Sequence, residues 1–291
     1  MSDTPPFGLH FISGLPRSGS TLLSAILQQN PRFRTGISGP MAGLLQTVQG
    51  SLSVGNETSI FVSDEQRARI LRGLFNAYYA DVPADSVVFD TNRLWCARLP
   101  LLKTLFPTSK VICCVRDVGW VMDSIERMVR RHPLSHSGLF NDEAERNTVY
   151  ARVDTLGQRN RLVGFAWCAI KEAFHAEEAD RVLFVDYELL TGAPDKTIEL
   201  IYRFLGEAPF EHDFENLNYD EPAFDARLGL SGMHRVQGPV RPRPRESVLP
   251  PDLFEQYSAM SFWRQGAVGR ANVIAPREPE KVQSPLSAPT T

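Results

Sequence analysis

Short apolar runs alternate with longer segments of helical periodicity along most of the chain. Four runs have the length and apolar content of buried strands: residues 9–13, 87–89, 110–115 and 181–185. The helical pattern covers residues 20–30, 64–81, 94–106, 118–131, 157–178 and 194–206. This alternation predicts an α/β fold with three layers, in which helices flank a mainly parallel central sheet. In such sheets ligands bind at the carboxyl ends of the strands.

A glycine-rich turn joins the first predicted strand to the first predicted helix. Gly14 and Gly19 stand five residues apart and precede Ser20 and Thr21, which is the frame of a Walker A loop with serine in place of its lysine. That lysine normally reaches the β- and γ-phosphates, whereas a loop without it still binds one tetrahedral oxyanion through backbone N–H groups. The helix start and Arg17 add positive potential. The turn therefore predicts a P-loop-like fold and a ligand without a γ-phosphate.

Two further strands end at residues that suit a phosphate ligand. Arg116 follows the run 110–115, and Ser124 lies eight residues later in a predicted helix. A guanidinium group binds phosphate oxygens with two parallel hydrogen bonds, and a serine two turns into the helix can reach the same oxygens. Tyr187 follows the run 181–185. The alternatives are that Arg116 pairs with a local carboxylate, that Ser124 is solvated and that the Tyr187 hydroxyl has a local partner.

The sequence Pro-Arg-Ser-Gly-Ser-Thr-Leu at residues 16–22 resembles the 5′-phosphosulfate loop of sulfotransferases that use 3′-phosphoadenosine 5′-phosphosulfate (PAPS). The resemblance implies that Arg116 and Ser124 clamp the 3′-phosphate and that Tyr187 faces the nucleotide. It also implies that a loop in the segment 231–245 closes over the donor. The donor-binding residues expected from this resemblance are Pro16, Arg17, Ser18, Gly19, Ser20, Thr21, Leu22, Arg116, Ser124, Tyr187, Val240 and Arg241.

Within this family the chain is most similar to the protein-tyrosine sulfotransferase branch and its bacterial relatives. The similarity is carried by Leu-Phe-Pro at residues 105–107, Phe-Leu-Gly at 204–206 and Pro-Pro-Asp at 250–252. It implies transfer of a sulfuryl group from PAPS to an acceptor hydroxyl on a peptide or a small molecule, with peptidyl tyrosine first among the acceptors. Two positions differ from the branch, because Ser38 replaces its general base glutamate and Thr91 replaces its catalytic lysine.

Four residues are candidates for the chemical step. We expect Arg17 to neutralise the leaving group, and Arg93 can bring a cation to the position that lacks the lysine. An acceptor hydroxyl also needs a base, since the pKa of a phenol is about 10. Asp90 and His234 are the candidates for that base. The alternatives are that Asp90 caps the following helix and that His234 is a surface imidazole.

Two other functions are compatible with the motifs. A kinase could use arginine in place of the loop lysine, and it would hold Mg-ATP with Asp90 or Asp117. A nucleotide-binding protein without catalysis would explain the missing glutamate and lysine. We expect no metal site, because the four cysteines lack the CxxC spacing of zinc ligands and are typical of buried thiols.

Length and composition indicate one globular domain, residues 1–270, followed by a disordered tail, residues 271–291. The net charge of −3 gives no general attraction to nucleic acid or to a membrane. The chain reaches its first strand directly after a short polar start, so we expect a cytoplasmic protein. The segment 132–150 reads as a lid or a solvated loop, and 231–245 reads as a segment without regular structure. The sequence carries no indication of an oligomeric state.

Overall fold

Buried strands and the helices between them account for most of the chain in the computed structural model, which describes residues 5–131, 133–134, 136–228, 232–265 and 269–276. The strands are β1 (Gly8–Gly14), β2 (Phe33–Thr35), β3 (Val87–Thr91), β4 (Val111–Val115), β5 (Val182–Asp186), β6 (Leu217–Tyr219), β7 (Val236–Gly238) and β8 (Asn272–Ile274). The α-helices are α1 (Ser20–Leu27), α2 (Met41–Ser51), α3 (Asp64–Tyr78), α4 (Leu99–Leu105), α5 (Val118–Arg131), α6 (Glu143–Arg146), α7 (Val149–Gly157), α8 (Leu162–His175), α9 (Tyr187–Gly192), α10 (Pro194–Leu205), α11 (Pro222–Leu228) and α12 (Pro251–Ser258). Short 3-10 helices span Glu57–Phe61, Arg93–Arg98, Ala179–Arg181 and Phe262–Arg264.

The central sheet is parallel throughout, with the strand order β2-β3-β1-β4-β5-β8. This arrangement confirms the predicted α/β fold. The last residues of neighbouring strands are in register, since Gly14 pairs with Cys114 and Val115 pairs with Asp186. The segments that follow β1, β4 and β5 therefore emerge at the same edge of the sheet.

Both faces of the sheet are covered, which explains why its strands read as continuous apolar runs. Neighbouring residues point to opposite sides: Phe11 packs in the core under α3, α4, α5 and α8, and Ile12 packs in the core under α1 and α10. Cys113 and Cys114 divide in the same way. Among the described residues, no helix is both long and apolar enough to cross a lipid bilayer.

Two strands correct the predicted boundaries. β3 continues to Thr91, so Asp90 lies inside the strand rather than after it. β8 pairs with β5, with Phe184 opposite Val273. The predicted disordered tail from residue 271 is therefore wrong at its start, because residues 272–274 complete the sheet; residues 277–291 lie outside the described part.

The segment 231–245 was expected to lack regular structure; this is wrong at β7 (Val236–Gly238), while its other described residues form no helix or strand. β7 pairs antiparallel with β6, with Val236 opposite Tyr219, and Val236 packs against the core under α1 and α10. The pairing anchors this segment even though it is rich in glycine and proline. Ser231 lies outside the described residues.

The helices differ from the predicted ones mainly at their ends. The pattern at 94–106 divides into a 3-10 helix and α4, with Pro100 in the first turn of α4. The predicted helix 157–178 begins only at Leu162. α6 and the start of α7 occupy part of the segment 132–150, in which residues 132 and 135 lie outside the described part.

Candidate active site

The turn between β1 and α1 is tightly wound. Gly14 has a φ of 125°, and a side chain there would approach the Cys114 carbonyl oxygen to 2.0 Å. Arg17 has a φ of 59°, the one left-handed non-glycine residue among those described. Such a conformation costs about 1–3 kcal/mol and is concentrated at functional sites. Helix α1 then begins without a side-chain cap, which leaves the N–H groups of its first turn free for an anion.

Ser18 braces this turn from below. Its buried hydroxyl lies 2.6 Å from the Leu15 carbonyl oxygen and 2.8 Å from the Cys114 carbonyl oxygen. Both acceptors belong to the backbone, so the side chain holds the turn against β4. Only the backbone N–H of Ser18 remains as a donor to a ligand.

Arg17 connects the turn to helix α5. Its Nε donates to Ser124 Oγ at 3.2 Å, and its Nη1 donates to the Met233 carbonyl oxygen at 3.2 Å. Burial, and then the nearby charge of Arg116, lower the pKa of Arg17. The structure thus brings together two motifs that are more than 100 residues apart in sequence. It also places Arg17 and Arg116 close to each other, and a bound anion would reduce the repulsion between their charges.

Arg116 and Tyr187 form the wall opposite the turn. The Arg116 guanidinium carbon lies 4.2 Å from the centre of the Tyr187 ring, in a cation–π contact. The Tyr187 ring packs against Gly19, which has a φ of 94°, and a side chain on Gly19 would meet Tyr187 Cδ2 at 2.7 Å. Residue 19 therefore has to be glycine for both its conformation and its contact.

Arg116 also contacts an acidic network, formed by Asp186 and Glu188, that the sequence patterns did not reveal. Glu188 Oε1 accepts from Arg116 Nε at 3.4 Å, and Glu188 also pairs with Arg264. Arg264 and Trp263 donate to the buried Asp186. Burial, and then the neighbouring Asp186, raise the pKa of Glu188 to about 8. The contact between Glu188 and Arg116 therefore depends on pH, because a protonated Glu188 attracts the guanidinium less than an ionised one.

The segment from Gly232 to Arg245 covers the site. Val240 is buried, and its N–H donates to the Phe214 carbonyl oxygen at 2.8 Å. Arg241, Arg243 and Arg245 all line the same cavity, together with Pro244. Arg245 pairs with Asp123 at 2.7 Å.

The positions that differ from the tyrosine branch also face the cavity. Ser38, Thr91 and Arg93 all line it. Thr91 Oγ1 is buried and has no hydrogen-bond partner in the described part of the chain. The Arg93 side chain makes no hydrogen bond or ion pair within the described residues, although its carbonyl oxygen accepts from Ser13 Oγ at 3.1 Å. Arg93 therefore offers an unpaired cation beside the Thr91 position.

Asp90 does not reach the cavity. Its two carboxylate oxygens accept from the Tyr79 hydroxyl at 2.6 Å and from Trp95 Nε1 at 2.9 Å, and burial raises its pKa. Asp90 points to the opposite face of β3 from Thr91 and is absent from the cavity lining, so the structure does not bring this candidate base to the site. Asp117, the other residue considered for a metal, accepts from Ser258 at 2.8 Å.

His234 is in contact with a buried carboxylate. Its Nδ1 lies 2.6 Å from Asp225 Oδ1, and its backbone N–H donates to Asp225 Oδ2 at 2.9 Å. Burial raises the pKa of Asp225, but the two bonds from His234 outweigh that effect and lower it. His234 lines the cavity, so the sequence-based candidate is placed where it can meet a ligand.

The glycine turn, helix α5 and the covering segment line one cavity of about 960 Å³. Of the predicted donor-binding and catalytic residues, it is lined by all except Ser18 and Asp90. The described lining contains seven arginines and no aspartate or glutamate. Such a cavity suits a ligand that carries several negative charges. The described residues contain no group of three metal-ligating side chains.

A family model and a curated relative both match the chain. A family model described as "Sulfotransferase family" matches residues 10–212. A putative protein-tyrosine sulfotransferase from Caenorhabditis briggsae is 26% identical over 202 residues, which are 68% of this chain and 65% of the relative. The chain thus spans slightly less than two thirds of that relative.

Two solved structures are also similar. The sulfotransferase domain of the Synechococcus PCC 7002 olefin synthase aligns over 88% of this chain and 94% of its own, with a TM-score of 0.51 and 19% identity, and it shares the fold. The sulfotransferase domain from the curacin biosynthetic pathway aligns over 72% of this chain and 76% of its own, with a TM-score of 0.47 and 21% identity. Because the family model matches more than half of its residues, the chain belongs to the sulfotransferase family.

Proposed function

We propose that the protein transfers a sulfuryl group from PAPS to an acceptor hydroxyl. The observation that carries the proposal is the 3.2 Å contact between Arg17 and Ser124, made in the cavity that Arg116 also lines. PAPS has charged groups at both the 5′ and the 3′ position of one ribose. It therefore needs cations from two directions, and the turn and helix α5 supply them.

The donor is held by groups from four segments in this proposal. The N–H groups at the start of α1 and the hydroxyls of Ser20 and Thr21 bind the 5′-phosphosulfate. Arg116 and Ser124 bind the 3′-phosphate, while Tyr187 contacts the nucleotide. Contacts from the covering segment come from Val240 and Arg241.

The reaction is an in-line displacement at sulfur. The acceptor oxygen forms a bond to sulfur, and the bond between sulfur and the bridging phosphate oxygen breaks, so 3′,5′-ADP leaves with the electron pair. Arg17 neutralises the charge that develops on this leaving group, and Arg93 adds a second cation. The scheme uses arginines where a kinase uses a metal ion. His234 is the candidate to receive the acceptor proton.

The acceptor carries a hydroxyl on a peptide or a small molecule. The 26% identical relative, named a putative protein-tyrosine sulfotransferase, makes a tyrosine peptide the first acceptor to test.

The four cysteines are free thiols, which favours the reducing environment of the cytoplasm.

The test combines binding and product analysis. The purified chain is incubated with PAPS and separate acceptors: 4-nitrophenol, a tyrosine peptide and a sugar. Mass spectrometry then follows the sulfated product and 3′,5′-ADP. Thermal shifts with 3′,5′-ADP without Mg²⁺ and with Mg-ATP are measured in parallel. Sulfated product supports the proposal, a preference for Mg-ATP supports a kinase, and stabilisation by 3′,5′-ADP without product supports a binding protein.

A further inference from the structure

A buried carboxylate stands directly behind the imidazole that lines the cavity. Asp225 in α11 is 1% exposed, and both of its oxygens accept from His234, one from the backbone and one from the ring. The Phe224 ring packs edge-on against the imidazole, with 5.4 Å between the ring centres. The imidazole is therefore fixed in position on two sides.

This arrangement determines which ring nitrogen carries the proton. An ionised carboxylate only accepts hydrogen bonds, so the 2.6 Å contact requires a proton on His234 Nδ1. The neutral ring then has its lone pair on Nε2. Met233, the preceding residue, accepts from Arg17 at 3.2 Å. The imidazole is thus anchored one residue from a contact with the glycine turn.

The other residues that line the cavity are poor bases. Its described lining has no carboxylate, and its arginines remain protonated. Asp90 is sealed by Tyr79 and Trp95. His234 is accordingly the described lining side chain best suited to accept the proton of a hydroxyl.

We propose that Asp225 is a positioning residue that holds His234 as the general base for acceptor hydroxyls that are not already ionised. This inference rests on the proposed sulfuryl transfer. The acceptor O–H proton passes to His234 Nε2 while the oxygen bonds to sulfur, and 3′,5′-ADP departs with the electron pair of the broken bond. Asp225 keeps its own charge and stabilises the resulting imidazolium, as the carboxylate of a Ser-His-Asp triad does.

The test is the dependence of kcat/KM on acceptor acidity, measured with PAPS and a series of phenols from unsubstituted phenol to 4-nitrophenol. A strongly acidic phenol is already ionised and needs no base. For phenol, we expect His234→Gln to reduce kcat/KM by about 10²-fold or more, which is the size of effect that a general base contributes. We expect Asp225→Asn to reduce it by a smaller factor. Toward 4-nitrophenol both variants should approach the parent rate.

The control is Glu221→Gln, which alters a carboxylate that accepts from Tyr219 at 3.0 Å outside the cavity lining, and we expect it to keep the parent profile. Binding of 3′,5′-ADP checks that each variant is folded. An unchanged rate in Asp225→Asn, or an equal loss with every phenol, would overturn the inference. If that variant loses nucleotide binding, His234→Gln decides by the same criterion. A parent inactive toward all acceptors would refute the proposed function itself.

Discussion

Removing the Arg17 side chain should impair transfer while leaving the turn intact. Arg17→Ala deletes the bonds to Ser124 Oγ and to the Met233 carbonyl oxygen, both 3.2 Å long. Alanine and arginine have a similar strain energy at a φ of 59°, so the substitution does not change the backbone strain of the turn. The loss of one charged contact to the developing leaving group costs about 3 kcal/mol, which is about two powers of ten in rate.

The assay is steady-state kcat/KM with PAPS and 4-nitrophenol, an acceptor that does not depend on the base. Arg34→Ala is the matched control, because Arg34 is exposed and its guanidinium bonds only to nearby carbonyl groups on β2 and the preceding loop. Arg17→Lys keeps the charge without the planar fork and should fall between parent and alanine. Activity of Arg17→Ala within a few-fold of the parent would remove Arg17 from the mechanism.

Two further substitutions test the wall of the cavity that Arg116 and Tyr187 form. Gly19→Ala places a methyl group 2.7 Å from Tyr187 Cδ2, so we expect weaker binding of 3′,5′-ADP, measured by thermal shift. The control is Gly43→Ala, whose methyl group meets no atom within 4 Å and which should bind the nucleotide as the parent does. Equal binding by both variants would contradict the assigned contact. Because the folded-state pKa of Glu188 is raised to about 8, ionisation of Glu188 should strengthen its hold on Arg116 and weaken nucleotide binding as pH rises through 8. The same raised pKa implies that the free energy of unfolding falls as pH rises from about 4.5 to 8, because the folded state binds one more proton than the unfolded state in this range. Glu188→Gln should flatten the pH dependence of both nucleotide binding and stability, measured by calorimetry. Unchanged pH dependence in this variant would contradict the role assigned to Glu188.

The sequence patterns were most informative where strands are buried on both faces. The runs at 9–13, 87–89, 110–115 and 181–185 correspond to β1, β3, β4 and β5, because a parallel strand between two helix layers requires continuous apolar residues. The edge strands β2 and β8 were missed. Each has only three residues and is partly exposed, so neither length nor periodicity separates them from a loop.

The candidate site shows a similar division. The turn, Arg116 and Tyr187 follow strands directly, and Ser124 lies in the helix after Arg116, so their position in sequence was enough to bring them to one edge. β3 continues two residues past its predicted end, so Asp90 lies inside the strand and its side chain points to the face opposite Thr91. The partnerships of Glu188 with Arg264 and of His234 with Asp225 are tertiary contacts, which no local pattern encodes.

The central claim is that one cavity recognises phosphates at both ends of a ribose, and calorimetric titration with 3′,5′-ADP and 5′-AMP, without Mg²⁺, tests it most directly. A hydrogen bond to a charged group contributes about 1.5–3 kcal/mol, so we expect the 3′-phosphate to tighten binding by about ten-fold to a hundred-fold. Arg116→Ala should remove most of that difference. Equal affinity of the parent for the two nucleotides would contradict the claim.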